Sequence, residues 1–405
     1  MSQSRKMTFT GSHGEPLAGR LDLPIGPVRA VALFAHCFTC DKETVTASRI
    51  SRRLAEHGVA VLRFDFTGLG ESGGDFANTN FTSNVEDLVH AADHLRESFA
   101  APAILIGHSL GGAAVLAAAE RVPESRAVAT IGAPADPEHV THLLDRAREE
   151  IEAEGEATVR VAGQPFRVRA QFLADVESQP QRDRITRLGR ALLVMHAPRD
   201  EVVGIDNARI IYDAARHPKS FVSLDHGDHL LTDPADASYA ATVLAAWASR
   251  YIPAPPEELT DDAGRRHVTV SEAGDGPYAQ QIAVGPHILT ADEPPSVGGA
   301  DTGPDPYGLL LASLGACTSM TLRMYAERKG LPLRHVTVTL EHTRIYAEDC
   351  ANCETQSGRV DHIRGDIEVE GELDDEQRAR LLEIAEKCPV HRTLRSETVI
   401  ESSLR

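Results

Sequence analysis

Three polar residues, far apart along the chain, have the types and the order of a nucleophile, an acid and a base. Ser109 lies in "AILIGHSLGG", between an apolar strand pattern and a helix pattern of small residues. Such a strand–turn–helix exposes a serine hydroxyl above the edge of a sheet. A hydroxyl needs a base to become nucleophilic, and the base needs a third group to orient it. Asp200 in "HAPRDEVVG" and His229 in "DHGDHLLTD" each follow a predicted strand, so we expect them to serve as acid and base.

Two of these assignments have competitors within the chain. A second G-x-S-x-G match, "GESGG" at residues 70–74, lacks both the preceding strand and the following helix, which predicts a loop. His226 lies three residues before His229 and is the alternative base. His196 falls at the end of a predicted strand, which favours a structural role.

Two cysteines with C-x-x-C spacing, Cys37 and Cys40, lie in "FAHCFTCDK" just past an apolar run. Zinc ligands and redox dithiols both use this spacing, so the motif alone does not choose between them. The cysteines can also be incidental to the loop that carries them. The choice depends on the function of the surrounding segment.

The composition indicates a folded protein of more than one domain. The chain has 405 residues with 42% hydrophobic and 25% charged residues, which is ordinary globular composition. Its formal net charge of −19 argues against nucleic acid or an anionic membrane as a partner. Six cysteines are too few for a disulfide-built scaffold. No signal peptide and no run of about 20 apolar residues is recognised, so a cytoplasmic protein is expected.

The predicted elements divide the chain into two domains. Up to residue 251, short apolar strands alternate with helical patterns, which predicts a mostly parallel sheet covered on both faces by helices. Residues 135–188 are too long for a simple connection and predict a small cap. Residues 252–262 read as a linker rich in proline and acidic residues. Residues 263–405 predict an α+β domain with hairpin strands and one long helix ending at Gly330.

The motifs of residues 1–251 resemble the α/β-hydrolase superfamily. "FAHCFTC", "LRFDFTGLGESGG", "IGHSLGG", "HAPRDEVV" and "DHGDHLL" occur in the order of that family. The resemblance implies acyl transfer on a small ester or thioester, with no cofactor. It assigns the backbone N–H groups of Phe38 and Leu110 to the oxyanion hole, and it places Cys37 where the family usually has glycine. "HCFTC" is then an oxyanion loop, and one hypothesis is that oxidation of Cys37 with Cys40 shuts off the hydrolase.

Two further cysteines lie on predicted helices of the second domain. Cys317 lies inside the long helix and Cys388 is expected to end a later one. A peroxide-reactive thiol with a resolving thiol is one interpretation, and buried structural cysteines are the other.

Residues 262–405 resemble the OsmC and organic hydroperoxide resistance family, through "DPYGLLLASLGACTSMTLRMYAERKG" and "CPVHRTL". The resemblance implies an intertwined homodimer, with Cys317 as the peroxidatic thiol acting on an organic hydroperoxide and Cys388 as the resolving thiol. The chain departs from the family pattern, because residues 267–316 contain no Lys or Arg and Tyr307 takes the place of a helix glutamate. Arg392, Arg395 or a residue of the second subunit would have to supply the missing positive charge.

A second C-x-x-C, Cys350 and Cys353, lies in a predicted loop between two strands. A zinc set shared with the first pair, a local disulfide or redox pair, and unreactive thiols all remain open for these residues. No metal is expected, because the first pair belongs to a different predicted domain.

Three functions are compatible with these patterns. The favoured one is a serine hydrolase whose OsmC-like domain drives dimerisation. The first alternative is a thiol-dependent hydroperoxide reductase with an auxiliary hydrolase domain. The second alternative makes the C-terminal half a non-catalytic dimer scaffold or a small-ligand binding module.

Overall fold

The protein divides into two compact units in its computed structural model. The first comprises Met1–Gly274 with Gln280–Leu289, and the second comprises Asp275–Ala279 with Thr290–Arg405. The predicted linker falls largely outside the described residues, so the boundary at 252–262 stays a prediction. The structure describes residues 3–24, 28–37, 40–161, 164–253, 267–273, 276–285, 287–349 and 357–404.

An eight-stranded sheet forms the centre of the first unit. The first two strands form an antiparallel hairpin, and the second strand is also antiparallel to the fourth. All further neighbours in the sheet, from the fourth strand to the tenth, are parallel. The strand order is first, second, fourth, third, fifth, sixth, ninth and tenth. In chain order the unit contains β1 (Gln3–Thr10), β2 (Pro16–Leu23), β3 (Ala30–Ala35), β4 (Val59–Phe64), β5 (Ile104–His108), β6 (Ala127–Ile131), β7 (Glu156–Val161), β8 (Gln164–Arg169), β9 (Ala191–His196) and β10 (Lys219–Ser223).

Helices cover both faces of this sheet, as predicted. Alternate side chains of β3 enter two different cores, because neighbouring residues of a strand point to opposite faces. One core is closed by the first and last helices of the unit, and the other by the second, third and seventh. The helices are α1 (Val45–Glu56), α2 (Phe81–Ser98), α3 (Leu110–Ala118), α4 (Asp145–Glu154), α5 (Ala170–Glu177), α6 (Gln181–Thr186), α7 (Asp206–Ala214) and α8 (Pro234–Ala248).

An insertion between β6 and β9 occupies the region predicted as a cap. It contains a 3-10 helix at Pro137–Leu144, the helices α4 to α6 and the β7–β8 hairpin. Phe172 and Val176 of α5 are buried in the same hydrophobic core as side chains of α2 and α3. The Thr82 hydroxyl at the start of α2 donates to the Asp175 carboxylate at 2.6 Å. Apolar packing and polar contacts therefore both hold the insertion against the helices of the main fold.

A three-stranded sheet and a helix-rich segment follow. The helix α9 begins at the N-cap Asp305, whose side chain accepts from the Gly308 N–H, and ends at Gly330 with a left-handed φ of 65°. Both features agree with the predicted long helix. The elements are β11 (Val268–Glu272), β12 (Gln280–Val284), β13 (His287–Ala291), α9 (Pro306–Lys329), β14 (Leu333–Tyr346), β15 (Arg359–Gly371), α10 (Asp375–Ala385) and α11 (Pro389–Arg395).

The hydrophobic core of the second unit is small. It is built where α9 meets β14 and α10, and no helix in the described ranges is both long and apolar enough to cross a membrane. Its buried members are Leu322, Ala326, Leu333, Leu373, Leu381, Ile384 and Ala385.

Candidate active site

Ser109 lies at a sharp turn between β5 and α3. Its φ of 54° and ψ of −128° are rarely adopted by a residue with a side chain. A Cβ at Gly107 would overlap the Gly111 carbonyl, and a Cβ at Gly111 would overlap the His36 carbonyl. The two glycines flanking Ser109 are therefore required by close backbone approach, as a nucleophile elbow demands.

The second G-x-S-x-G match has a different structure. The Ser72 hydroxyl donates to the Asp65 carbonyl at 2.6 Å and accepts from the Ala18 N–H at 2.9 Å. These contacts tie the turn to β2 through Ala18 and to the residue that directly follows β4, Asp65. Ser72 thus lies in a loop, and its hydroxyl is used in internal hydrogen bonds.

Three predicted site residues form a continuous hydrogen-bonded chain. The Ser109 Oγ lies 3.0 Å from the His229 Nε2, and the His229 Nδ1 lies 2.7 Å from the Asp200 Oδ2. Because a carboxylate only accepts, Nδ1 carries a proton and Nε2 is left to accept the proton of Ser109. His226, the alternative base, is exposed to solvent, while the Ser109–His229–Asp200 chain is formed. The arrangement can deprotonate a serine for attack on a carbonyl.

The Asp200 carboxylate is held ionised. Burial opposes its ionisation, but hydrogen bonds from His229 and from the backbone N–H groups of Val203 and Val202 outweigh burial, so the pKa of Asp200 is lowered. The two backbone donors lie 2.8 and 2.9 Å from its Oδ1. The remaining oxygen is thereby free to accept from His229.

Sheet topology explains why these residues meet. Ser109, Asp200 and His229 follow β5, β9 and β10, whose carboxyl ends lie along the same edge of the parallel sheet. Gly132 follows β6, between these strands, with a φ of 54°. A Cβ there would lie 3.2 Å from the Asp200 Oδ2 and 3.4 Å from the His229 Nδ1. Sequence reasoning missed Gly132, although a glycine directly after an apolar strand was a visible signal.

Two buried histidines hold the loops that carry His229 and Asp200. His108 lies 2.7 Å from the His229 carbonyl through Nε2, and His196 lies 2.7 Å from the Val203 carbonyl through Nε2. A carbonyl only accepts, so each Nε2 carries the proton. Burial and the neighbouring His229 lower the pKa of His108 to about 4, and burial lowers the pKa of His196. His196 is thus structural as expected, while the role of His108 was not predicted.

The loop predicted to form the oxyanion hole is anchored at both of its ends. The His36 Nδ1 donates to the Cys37 carbonyl at 2.7 Å, and burial lowers the pKa of His36. At the other end, the Lys42 N–H and Nζ donate to the two oxygens of Asp65 at 2.6 and 2.7 Å. Leu110, the first residue of α3, is buried directly after Ser109. The other predicted donor, Phe38, lies outside the described residues.

The thiols of the second unit lie on adjoining helices. Cys317 is partly exposed in the middle of α9, and Cys388 is fully buried; neither is in a disulfide. The prediction that Cys388 ends a helix is wrong, because α10 ends at Ala385 and Cys388 is the N-cap of α11. Its Sγ accepts from the His391 N–H at 3.3 Å and lies 3.5 Å from the Thr318 Oγ1. Pro389 at the first helical position was the signal for this new helix.

An open pocket of about 270 Å³ lies between α9 and β14. Cys317 directly follows Ala316, one of the residues that line it. Within the described ranges, no cluster of three or more His, Cys, Asp or Glu side chains could hold a metal ion. Cys350 and Cys353 lie outside those ranges, and their role stays open.

Comparison with known proteins agrees with this architecture. The family model of serine aminopeptidase S33 matches residues 26–144, and the model of OsmC-like protein matches residues 298–403. The chain belongs to the α/β-hydrolase family in its N-terminal part and carries an OsmC-like domain at its C-terminal end.

Among individual relatives, the esterase domain of a Rhodothermus marinus protein is 50% identical. It aligns over 62% of this chain and 99% of its own length, with a TM-score of 0.52. The mitochondrial palmitoyl-protein thioesterase ABHD10 of Mus musculus is 31% identical over 187 residues, which are 44% of this chain and 62% of that protein. Est1E of Butyrivibrio proteoclasticus, solved with ferulic acid, is 18% identical with a TM-score of 0.52 and supports the fold alone.

The buried His108 leads to a prediction about stability and pH. Its folded pKa of about 4 lies below the ordinary value of 6.5, so the unfolded chain binds its proton first as the pH falls. The stabilisation by neutral His108 is therefore complete above pH 6.5 and lost between pH 6.5 and 4. In His108→Gln, the amide can still donate to the His229 carbonyl. As the pH falls from 6.5 to 4, the free energy of unfolding should decrease less steeply in this variant than in wild type, and the two slopes should differ by up to about one proton.

Urea unfolding of the full chain at several pH values between 7 and 4.5 measures this slope. Ser125→Ala is the control, because it removes a buried hydrogen bond to the Val122 carbonyl without removing a titratable group. It should lower stability equally at every pH. Equal slopes in wild type and His108→Gln would show that His108 accepts its proton in the folded state.

Proposed function

We propose that this protein is a carboxylic ester or thioester hydrolase that uses Ser109, His229 and Asp200 as a catalytic triad. The observation that carries the proposal is the hydrogen-bonded chain from the Ser109 Oγ through His229 to Asp200. The esterase domain that is 50% identical over almost its whole length supports the same reaction class.

The proposed mechanism has two half-reactions. His229 Nε2 takes the Ser109 proton as Oγ attacks the substrate carbonyl, while Asp200 stabilises the imidazolium that forms. The carbonyl oxygen becomes an oxyanion, which the N–H of Leu110 receives together with the N–H that the sequence assigns to Phe38. When the intermediate collapses, His229 gives its proton to the leaving alcohol or thiol. Water then attacks the acyl-enzyme, with His229 again as the base.

The choice between ester and thioester belongs to the same proposal. A palmitoyl-protein thioesterase is among the relatives, and the chain spans 62% of that protein. Residues 135–188 pack on α2 and on α3, the helix that begins directly after Ser109, which supports a role of this insertion in limiting the acyl group. We therefore propose small acyl esters and thioesters as the substrate class. An acyl group offered in both forms distinguishes them.

Replacing the nucleophile tests the triad. Ser109→Ala should lower the hydrolysis of short-chain p-nitrophenyl esters and of matched acyl thioesters by at least about 10³-fold, since the proposed triad then lacks its nucleophile. A fluorophosphonate probe should label wild type and leave the variant unlabelled. His229→Ala should lose activity to a similar extent.

His226→Ala is the matched control, because this exposed histidine lies three residues from the proposed base. It should retain turnover. If wild type hydrolyses none of these substrates and resists the probe, the triad proposal is wrong.

The competing function, a thiol-dependent reductase of organic hydroperoxides, rests on the second unit. Cys317 is partly exposed, and the next residue, Thr318, lies 3.5 Å from the buried Cys388 Sγ through its Oγ1, which suits a peroxidatic and a resolving thiol. The same preparations distinguish the two functions in a hydroperoxide-consumption assay. Consumption that disappears in Cys317→Ser and persists in Ser109→Ala would support the reductase. Equal, background consumption in all variants would leave the second unit as a scaffold or ligand-binding module.

The OsmC-like domain also supports a homodimer. Met320 and Met324 lie on one face of α9 with 64% and 62% of their surface exposed, and Tyr307 near its start is 51% exposed. A long helix with such an apolar face, on a unit whose own core is small, favours burial against a second copy.

Charged substitutions on this face test the dimer. The double variant Met320→Glu with Met324→Glu should sediment as a monomer, whereas wild type should sediment at twice the chain mass, because an interface disfavours buried unpaired carboxylates. Tyr239→Glu, on an exposed helix position of the first unit, should leave the dimer intact. A double variant that remains dimeric would assign the interface to another surface.

A further inference from the structure

A histidine of the insertion at residues 135–188 contacts the loop that carries Asp200. His139 lies on the 3-10 helix Pro137–Leu144, and its Nε2 lies 3.0 Å from the Val202 carbonyl oxygen. A carbonyl only accepts, so the Nε2 carries the proton and His139 is the donor. The His139 side chain is half-buried, whereas Val202 is 43% exposed. This contact joins the insertion to an exposed part of the loop.

The Val202 carbonyl belongs to the same peptide unit as the Val203 N–H. That N–H donates to the Asp200 Oδ1 at 2.8 Å. A trans peptide unit is planar, and its carbonyl oxygen and amide hydrogen point in opposite directions. The donor that holds the Val202 carbonyl therefore also fixes the direction of the Val203 N–H. Hydrogen bonds in such a series also polarise one another, which strengthens each of them.

His139 is thereby the outer end of a series of hydrogen bonds that reaches the nucleophile. The series starts at His139, crosses one peptide unit and arrives at the Oδ1 of Asp200. The other carboxylate oxygen, Oδ2, continues it to His229 and from there to the Ser109 Oγ. The insertion is therefore connected to the triad through the acid, without a contact between His139 and the reacting atoms being required.

Other contacts hold the same loop at neighbouring points. Buried His196, at the end of β9, donates to the next carbonyl, that of Val203, at 2.7 Å. At the start of the insertion, the Ala135 N–H donates to the Asn207 Oδ1 at 3.0 Å. These contacts remain when His139 is replaced. Loss of the His139 donor should therefore loosen one peptide unit and leave the rest of the loop in place.

We propose that His139 is a positioning residue of the hydrolase, which acts on Asp200 through the peptide unit between Val202 and Val203. The inference rests on the proposed hydrolase function. The acid of a triad stabilises the positive charge that forms on its histidine, and it does so best when it is held in its orientation before the charge develops. Without the His139 donor, the Val203 N–H loses its fixed direction, and the Asp200 carboxylate loses part of its hold.

Two replacements separate the donor of His139 from its ring. His139→Gln keeps an N–H donor without the ring. His139→Phe keeps a ring, which can still contact the His142 ring that lies 5.3 Å away, without the donor. In hydrolysis of p-nitrophenyl butyrate by the full chain, His139→Phe should lower kcat about tenfold and change KM less than about twofold, because both half-reactions use the same triad. His139→Gln should retain most of the wild-type kcat.

The rate of labelling by a fluorophosphonate probe is the second readout. The probe reports bond formation at Ser109 without a deacylation step, so its rate constant should fall in His139→Phe by about the same factor as kcat and stay near wild type in His139→Gln. Glu138→Ala is the matched control, because this exposed residue directly precedes His139 on the same 3-10 helix. It should leave kcat, KM and the labelling rate unchanged.

Four results would overturn the positioning role while the hydrolase proposal stands. These are a wild-type kcat in His139→Phe, an equal loss in both variants, a loss confined to His139→Gln, and a raised KM with unchanged kcat, which would place His139 in substrate binding. Urea unfolding shows whether each variant is folded, and His139→Ala replaces His139→Phe, with the same expectation, if the latter is not. A wild type that hydrolyses nothing and resists the probe contradicts the hydrolase function, and the positioning role falls with it.

Discussion

The close approach of backbone around Ser109 is the constraint on which the rest of the site depends. The turn holds Ser109 at a φ of 54°, and it brings the backbone so close that a Cβ at Gly107 or Gly111 would overlap a neighbouring carbonyl. The same close approach presses the first turn of α3 against the carbonyl of His36. The turn at Ser109 and the loop proposed to form the oxyanion hole are thus parts of one packed junction at the edge of the sheet.

Three buried histidines then connect the loops of this junction to the fold. His36 donates to the Cys37 carbonyl, His108 donates to the His229 carbonyl, and His196 donates to the Val203 carbonyl in the loop of Asp200. Burial lowers the pKa of all three, so each is a neutral donor with its hydrogen on a defined nitrogen. A charged imidazole in these positions would oppose protonation of the base by electrostatic repulsion. Neutral histidines hold the loops without that cost.

The parts of this structure that could be predicted from sequence are those written in local patterns. Continuous apolar runs identify the buried parallel strands, and capping residues such as Asp305 and Asp374 identify helix starts. The hairpin β1–β2 was not assigned, because charged residues such as Asp22 interrupt the alternation of apolar and polar residues along its strands. Asp22 is buried in the fold, where it pairs with Arg63. His108 was missed for a similar reason: its partner lies 121 residues away.

Buried charge fixes one end of the loop that connects β3 and α1. The Lys42 side chain and the Asp65 carboxylate are almost fully buried and lie 2.7 Å apart. Removing either partner would leave an uncompensated charge in the interior, so this tie cannot be released by small perturbations. Hydrogen bonds and ion pairs of this kind persist in the presence of thiols, whereas a disulfide does not. The ends of this loop are therefore fixed by the fold, independently of the disulfide bond between Cys37 and Cys40.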